Sequence, residues 1–331
     1  MTFTTTATGR PQTADAMRIG LTDHEQDQLV GLATSLAVTE PGLVDDPGWQ
    51  KRSRTASSLL PARLTSILRE FRHDSGPAGT LTVTNLPLGP EPLPPTPVIP
   101  DSTEPTASIP ATLATLLGNH LGTLTAYRDE KHGALVQNVV PVPTLATTQS
   151  NGGSVDLELH TENAFHPHRP DFLALLCLRP AHTGPVGTRV ASIRHVIPLL
   201  DPTIRRTLSA SRFITEAPPS FHSNQRSEAH AVLTGAHEDP DICVDFHATR
   251  GIDHQACEAL THLRRSLMSI HVEVELRAGD MVFLDNRIVV HGRVAFTPRY
   301  DGTDRWLHRI FIHLDHRRTR PQRPHNGLVL V

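Results

Sequence analysis

The triplet His160-Thr161-Glu162 sets an imidazole and a carboxylate two residues apart. On an extended strand that spacing puts both side chains on one face. The run leading into it, Val155-Asp-Leu-Glu-Leu-His160, alternates as a strand does. The pair therefore offers two ligands to a mononuclear metal, and a third must come from elsewhere in the chain. His291 is the candidate. It follows the strand-like Met281-Val-Phe-Leu284 and the polar turn Asp285-Asn-Arg287, and it precedes Gly292, which lets backbone approach a bulky neighbour. Two histidines and one carboxylate occupy one face of an octahedron and leave the remaining positions open. That arrangement suits non-haem Fe(II), because dioxygen and a bidentate cosubstrate can bind side by side. Zinc prefers a closed tetrahedron or a single open position.

A bidentate 2-oxo acid leaves its far carboxylate to be neutralised. An arginine fits that need, since its planar fork matches a carboxylate. The strand after His291 supplies two, Arg305 and Arg309, at a spacing that places them on one face.

These residues need a frame. Thr22 and Glu25 fit a capping box before apolar Leu29, Leu32, Ala33 and Leu36 at helical spacing. Leu60, Leu64, Ile67, Leu68 and Phe71 write a second amphipathic helix, and Thr80-Leu-Thr-Val-Thr84 reads as a strand. Residues 87–110 are too rich in proline for a helix, and a further helix is expected from about Ala111 to His120. From about residue 134 the pattern turns to strands: Leu135–Val140, Val155–His160, Phe172–Leu178, Arg189–Ile193, His271–Leu276, Met281–Leu284 and Trp306–Leu314. One helix interrupts them, capped by Asp253 and carrying Ala256, Leu260, Leu263 and Leu267 on one face. A mainly β domain follows, a sandwich or jelly roll flanked by helices. Residues 1–20 read as a flexible N-terminus, 21–125 as a helical scaffold and about 127–315 as the core of one domain spanning 21–331.

The composition removes other classes. With 38% hydrophobic residues, 20% charged residues and a net charge of −3, the chain can bury a core and lacks the basic surplus of a nucleic-acid binder. No apolar run approaches the roughly 20 residues that span a bilayer, and the first residues lack the order of a signal peptide, so a cytoplasmic location is expected. The 3 cysteines, Cys177, Cys243 and Cys257, form no pair with metal or disulfide spacing. There is no glycine-rich phosphate loop. Oligomeric state is left open.

Two longer segments carry a family resemblance. They are His160-Thr-Glu162-Asn-Ala-Phe-His-Pro-His-Arg169-Pro-Asp-Phe-Leu, and Asp285-Asn-Arg287-Ile-Val-Val-His291-Gly-Arg293 followed by Thr297-Pro-Arg-Tyr-Asp-Gly-Thr-Asp-Arg305-Trp. Together they resemble the clavaminate synthase-like branch of Fe(II)/2-oxoglutarate oxygenases, which includes hydroxylases of free arginine, lysine and asparagine. The resemblance runs from about Tyr127 to Ile312. It implies a double-stranded β-helix core, with Fe(II) as cofactor and 2-oxoglutarate and O2 as cosubstrates. It implies iron ligands at His160, Glu162 and His291, with Arg305 and Thr188 on the distal carboxylate of 2-oxoglutarate. It places Arg309 on the α-carboxylate of a small amino-acid substrate, Glu130 on its α-ammonium, and Gln149 and Ser150 in the polar loop alongside. Relatives acting on basic amino acids carry Asp-x-Asp near Cys243-Val-Asp245-Phe-His247; here His247 takes the second position. Two carboxylates suit a buried cation, whereas one carboxylate and one imidazole suit a neutral amide or ureido group equally well.

The expected reaction is hydroxylation of an unactivated carbon, Cβ or Cγ, of a free polar or basic amino acid, in the setting of natural-product biosynthesis. Desaturation, cyclisation and a carrier-bound substrate use the same cofactors. The rivals from other classes are a non-catalytic sensor of 2-oxoglutarate or iron and a zinc hydrolase built on the same triad.

Overall fold

Thr22 Oγ1 accepts from the Glu25 amide (3.3 Å) while the Glu25 carboxylate accepts from the Thr22 amide (2.9 Å), so helix α1 (Asp23–Ala37) starts on a closed capping box. The protein is described by a computed structural model over residues 16–182, 186–221 and 225–331. Strand β1 (Met17–Gly20) precedes α1, and α2 (Pro47–Ala56), α3 (Ala62–His73), β2 (Thr80–Thr84), α4 (Ile109–Leu121), β3 (Thr123–Tyr127) and β4 (Gln137–Val139) follow it. Then come β5 (Leu157–His160), β6 (Phe172–Arg179), β7 (Thr188–Ser192), the short α5 (Ile193–Val196) and α6 (Pro202–Leu208), and four three-residue strands, β8 (Phe213–Thr215), β9 (Leu233–Gly235), β10 (Pro240–Ile242) and β11 (Thr249–Gly251). The chain ends with α7 (His254–Ile270), β12 (Val272–Val274), β13 (Met281–Asp285), β14 (Val289–Arg293), β15 (Trp306–His313) and β16 (Val329–Leu330).

Two sheets carry the architecture. The larger, 8-stranded sheet runs β1-β2-β13-β6-β15-β3-β16, with β4 also on β15; the 4-stranded sheet runs β12-β7-β14-β5. The period of two along the central strands divides the interior. On β6, Phe172, Ala174, Leu176 and Leu178 face the helices α1–α4, while Leu173, Leu175 and Cys177 face the core shared with the smaller sheet. On β15, Trp306, Ile310 and Ile312 take the helical side and Leu307 and Phe311 the other, and that second side is the one on which Arg309 is carried. The fold is mainly β with flanking helices.

Some expected boundaries move. Residues 1–15 lie outside the described residues, but Met17–Gly20, expected in the flexible N-terminus, pairs in parallel with β2 as an edge strand. The segment read as a helical scaffold also supplies β2 and the start of β3, so the large sheet does not begin at residue 127. Helix α2 was not expected from the sequence. Its start is readable in Asp46, which accepts from the Trp49 amide (2.7 Å), and in Pro47 at the first turn. Its buried face of Trp49, Gln50 and Ser53 has too little apolar character to show a period. Among the described residues no helix is long and apolar enough to cross a membrane.

Trp49 is 0% exposed and its indole N–H donates to the Leu36 carbonyl (3.0 Å), tying α2 to α1 over the outer core. Trp49→Ala should lower unfolding free energy by about 3–5 kcal/mol in urea titrations. A loss below about 1 kcal/mol would mean that the helical layer is not part of the cooperative core.

Candidate active site

β5 ends at His160, and His160 and His291 are directly opposed Cα partners across β5 and β14. Their ring centroids lie 4.3 Å apart, and His291 Nε2 is 3.4 Å from Glu162 Oε2. One ligand atom from each of His160, Glu162 and His291 falls within a sphere where all lie within 4.8 Å of one another. The sequence therefore names residues that do converge, but strand alternation is not the cause. Glu162 lies past the end of β5. Its position is set by Thr161, whose amide donates to the Val244 carbonyl (2.7 Å), and by Asn286. The Asn286 Oδ1 accepts from the Glu162 amide (2.8 Å), and its Nδ2 donates to the carbonyls of Glu162 (3.1 Å) and Pro170 (2.8 Å). Asn286 is 1% exposed, so this side chain is a built-in brace, and its only sequence signal was a polar turn ahead of His291. Gly292 answers to the same close approach: a Cβ there would lie 2.5 Å from the Leu157 carbonyl oxygen on β5.

The protonation states suit a cation. His160 Nδ1 sits 2.9 Å from the Glu158 carbonyl, which only a protonated Nδ1 satisfies, so Nε2 is the bare ligand nitrogen. Burial and then the neighbouring His160 lower the His291 pKa, favouring neutral imidazole. Burial raises the cost of charge on Glu162, but the Arg309 guanidinium and His291 outweigh it and hold the carboxyl well below the usual range. A neutral His291 imidazole and an ionised Glu162 carboxylate are states that suit a divalent metal.

Arg309 is held on three sides by its surroundings. Its Nη1 donates to Glu162 Oε1 (2.9 Å), its Nε to Gln137 Oε1 (3.1 Å), and its Nη2 to both Glu130 and Gln137. Every N–H except one on Nη1 is committed. Glu130 is buried behind Arg309 and does not line the cavity. One of its oxygens takes the Arg309 bond, and Oε2 has no donor. Burial raises the Glu130 pKa, against the pull of Arg309. The sequence reading placed Glu130 directly against substrate; in this geometry it reaches a ligand only by shifting toward the cavity.

A cavity of about 270 Å³ joins the remaining residues. His160, Glu162 and His291 form part of its wall with Thr188, Arg305, Arg309, Gln149, Ser150, Asp245 and His247. Arg305 is 7% exposed and faces the cavity without a hydrogen-bond acceptor among the described residues; burial lowers its pKa to about 10. Gln149 is turned to its own loop: Nε2 donates to the Asp156 carbonyl (2.6 Å), and Oε1 accepts from the Glu158 amide (3.1 Å). Both polar ends are spent on backbone, so Gln149 shapes the wall instead of offering a free contact. Asp245 Oδ1 accepts from the amides of His247 (2.8 Å) and Ala248 (3.0 Å), while its other oxygen remains for a ligand. His247 is an exposed residue at the cavity wall. The sequence reading missed Asn151, Arg250 and Arg293, which also line the cavity.

Asn286→Ala should leave the sheets folded yet weaken Mn(II) or Fe(II) binding by about 10- to 100-fold, as loss of an outer support does at metal sites. Equilibrium dialysis measures this; unchanged affinity would remove Asn286 from the site. Gly292→Ala should lower metal affinity as well, because the added methyl must push β5 and His160 away from β14. A variant with native metal binding would contradict that placement.

Residues 110–311 match the family described as Taurine catabolism dioxygenase TauD, TfdA family. The chain is 45% identical over 310 residues to L-asparagine oxygenase of Streptomyces coelicolor (strain ATCC BAA-471 / A3(2) / M145), covering 93% of each chain. It is 30% identical over 295 residues to clavaminate synthase 2 of Streptomyces clavuligerus, covering 88% of this chain and 90% of that one. Its fold superposes with a TM-score of 0.92 and 43% identity on a crystal structure of asparagine oxygenase with Fe(II), 2S,3S-3-hydroxyasparagine and succinate, covering 95% of this chain and 98% of that one. The fold, the three converging ligands and these likenesses agree: the chain belongs to the TauD/TfdA family of dioxygenases.

Proposed function

We propose that this chain is an Fe(II)- and 2-oxoglutarate-dependent hydroxylase of a free amino acid with a carboxamide side chain, with L-asparagine the first candidate. The observation that carries the reading is one cavity lined by three converging candidate metal ligands and by a buried guanidinium, Arg305, with no acidic partner among the described residues. We read the two facing sheets as the double-stranded β-helix, or jelly roll, and residues 21–331 as one oxygenase domain to which β1 is added.

His160 Nε2, Glu162 Oε2 and His291 Nε2 would hold the iron. Bound there, ferrous iron supplies the oxidation, reacting dioxygen with 2-oxoglutarate to give succinate, carbon dioxide and one oxygen atom inserted into a substrate C–H bond. The chain's own part is binding and orientation. Arg305 and Thr188 take the far carboxylate of 2-oxoglutarate. Arg309 offers its last free N–H to the substrate α-carboxylate, and Glu130 Oε2, which lacks a donor, is the group left for the α-ammonium once that side chain shifts toward the cavity. Gln137, Glu130 and Glu162 fix the Arg309 plane, so the substrate is referenced to the same side chain that steadies a metal ligand. Ser150 and Gln149 keep the adjoining loop in place.

Asp245 decides the side chain. Its free oxygen accepts an amide N–H at little cost, whereas a full cation at that place would find one carboxylate and the imidazole of His247. The relatives rank in the same order, with the asparagine oxygenase at 45% identity, an L-lysine 3-hydroxylase at 34% and an L-ornithine/L-arginine 3-hydroxylase at 27%.

Purified protein with Fe(II), ascorbate, 2-oxoglutarate and each common amino acid in turn should add one oxygen atom to asparagine, read by mass, with matching succinate. Product from arginine or lysine and none from asparagine would refute the side-chain reading; succinate without any hydroxylated amino acid would refute the substrate class. Asp245→Ala should alter side-chain preference while leaving substrate-free decay of 2-oxoglutarate intact.

A further inference from the structure

A second buried guanidinium faces the cavity. Arg293 ends β14, two residues after His291, and its Cα partner on β7 is Thr188. It is 4% exposed and lines the cavity with Thr188 and Arg305. Neither Arg293 nor Arg305 has an acidic partner within salt-bridge distance among the described residues. The acid that attracts Arg293, Asp156, is bound by Arg189 (2.6 Å). Arg293 Nη2 donates to the Val155 carbonyl (3.1 Å), Nη1 reaches the Ser150 carbonyl at 3.5 Å, and the Nε proton is buried without an acceptor. Phe296 lies under the guanidinium at 5.5 Å. Two buried like charges beside one cavity, with donors unfilled, cost free energy that an anion recovers.

We propose that Arg293 is a second cosubstrate-binding residue, and that the far carboxylate of the 2-oxo diacid sits between Arg293 and Arg305 with the Thr188 hydroxyl beside it. This rests on reading the cavity as the 2-oxoglutarate site. The shared carboxylate offsets one of the two charges that have no acidic partner among the described residues, and it supplies an acceptor for Arg293 donors that carbonyls do not satisfy. The pair sets selectivity: a 2-oxo monoacid of the same length leaves both guanidiniums buried and bare. The rival role for Arg293 is only to anchor the loop through Ser150 and Val155.

The test is calorimetric binding of 2-oxoglutarate and of 2-oxopentanoate, which lacks the far carboxylate, to enzyme loaded with redox-silent Mn(II). Arg293→Gln should weaken 2-oxoglutarate by about tenfold or more and change 2-oxopentanoate by less than about twofold. Arg293→Lys, which keeps the charge but loses the fork, should weaken 2-oxoglutarate selectively and by less. Equal weakening of both ligands, or no change in either, would overturn the proposal in favour of the loop anchor. If Arg293→Gln fails to fold by circular dichroism, Arg293→Lys decides alone, and native 2-oxoglutarate affinity there overturns it. Arg305→Gln separates the two readings. Its loss of 2-oxoglutarate binding with Arg293→Gln unaffected sinks only the second cation. No loss in either variant sinks the cosubstrate site itself.

Discussion

One buried carboxylate governs the site. Glu162 is 6% exposed, and a charge placed there must be matched by opposite charge and by hydrogen bonds. Arg309 supplies the first on one oxygen, and the imidazole of His291 stands against the other. Remove the guanidinium and the buried acid loses its largest counter-charge. Arg309 in turn stays in place because Glu130 and Gln137 occupy its Nε and Nη2 donors. One side chain therefore both holds Glu162 and borders the cavity.

The charges divide the cavity into two ends. Arg305 and Arg293 make one end cationic, without internal counter-ions among the described residues. Asp245 makes the other end an acceptor, with a single free carboxylate oxygen. Between them lie the ligands. A small dianion and a small zwitterion with an amide tail match this pattern.

The histidines and the acid were legible because residue type is informative where a His-x-Glu triplet and a second histidine after a polar turn occur together. The reason for their convergence was not. Glu162 is placed by Thr161 on Val244 and by Asn286, contacts 83 and 124 residues apart in sequence. No local pattern encodes such distances. The same holds for Glu130, whose position behind Arg309 depends on how β3, β4 and β15 pair, and for Gln149, whose amide turns back to its own loop. The long strands β6, β13 and β15 were visible as apolar runs, α1 and α7 as periodic faces with caps, and α3 as a periodic face alone. The three-residue strands β8–β11 hold too few residues for a period, and α2 hides its only large apolar residue, Trp49, among polar neighbours.

The account stands or falls on a half-open metal. A crystal structure grown without oxygen, with Fe(II) and 2-oxoglutarate, tests it most directly. It should contain one iron on His160, Glu162 and His291, with the keto acid occupying two of the remaining positions and its far carboxylate at Arg305. An iron closed by a fourth protein ligand, or a keto acid bound away from the iron, would contradict it.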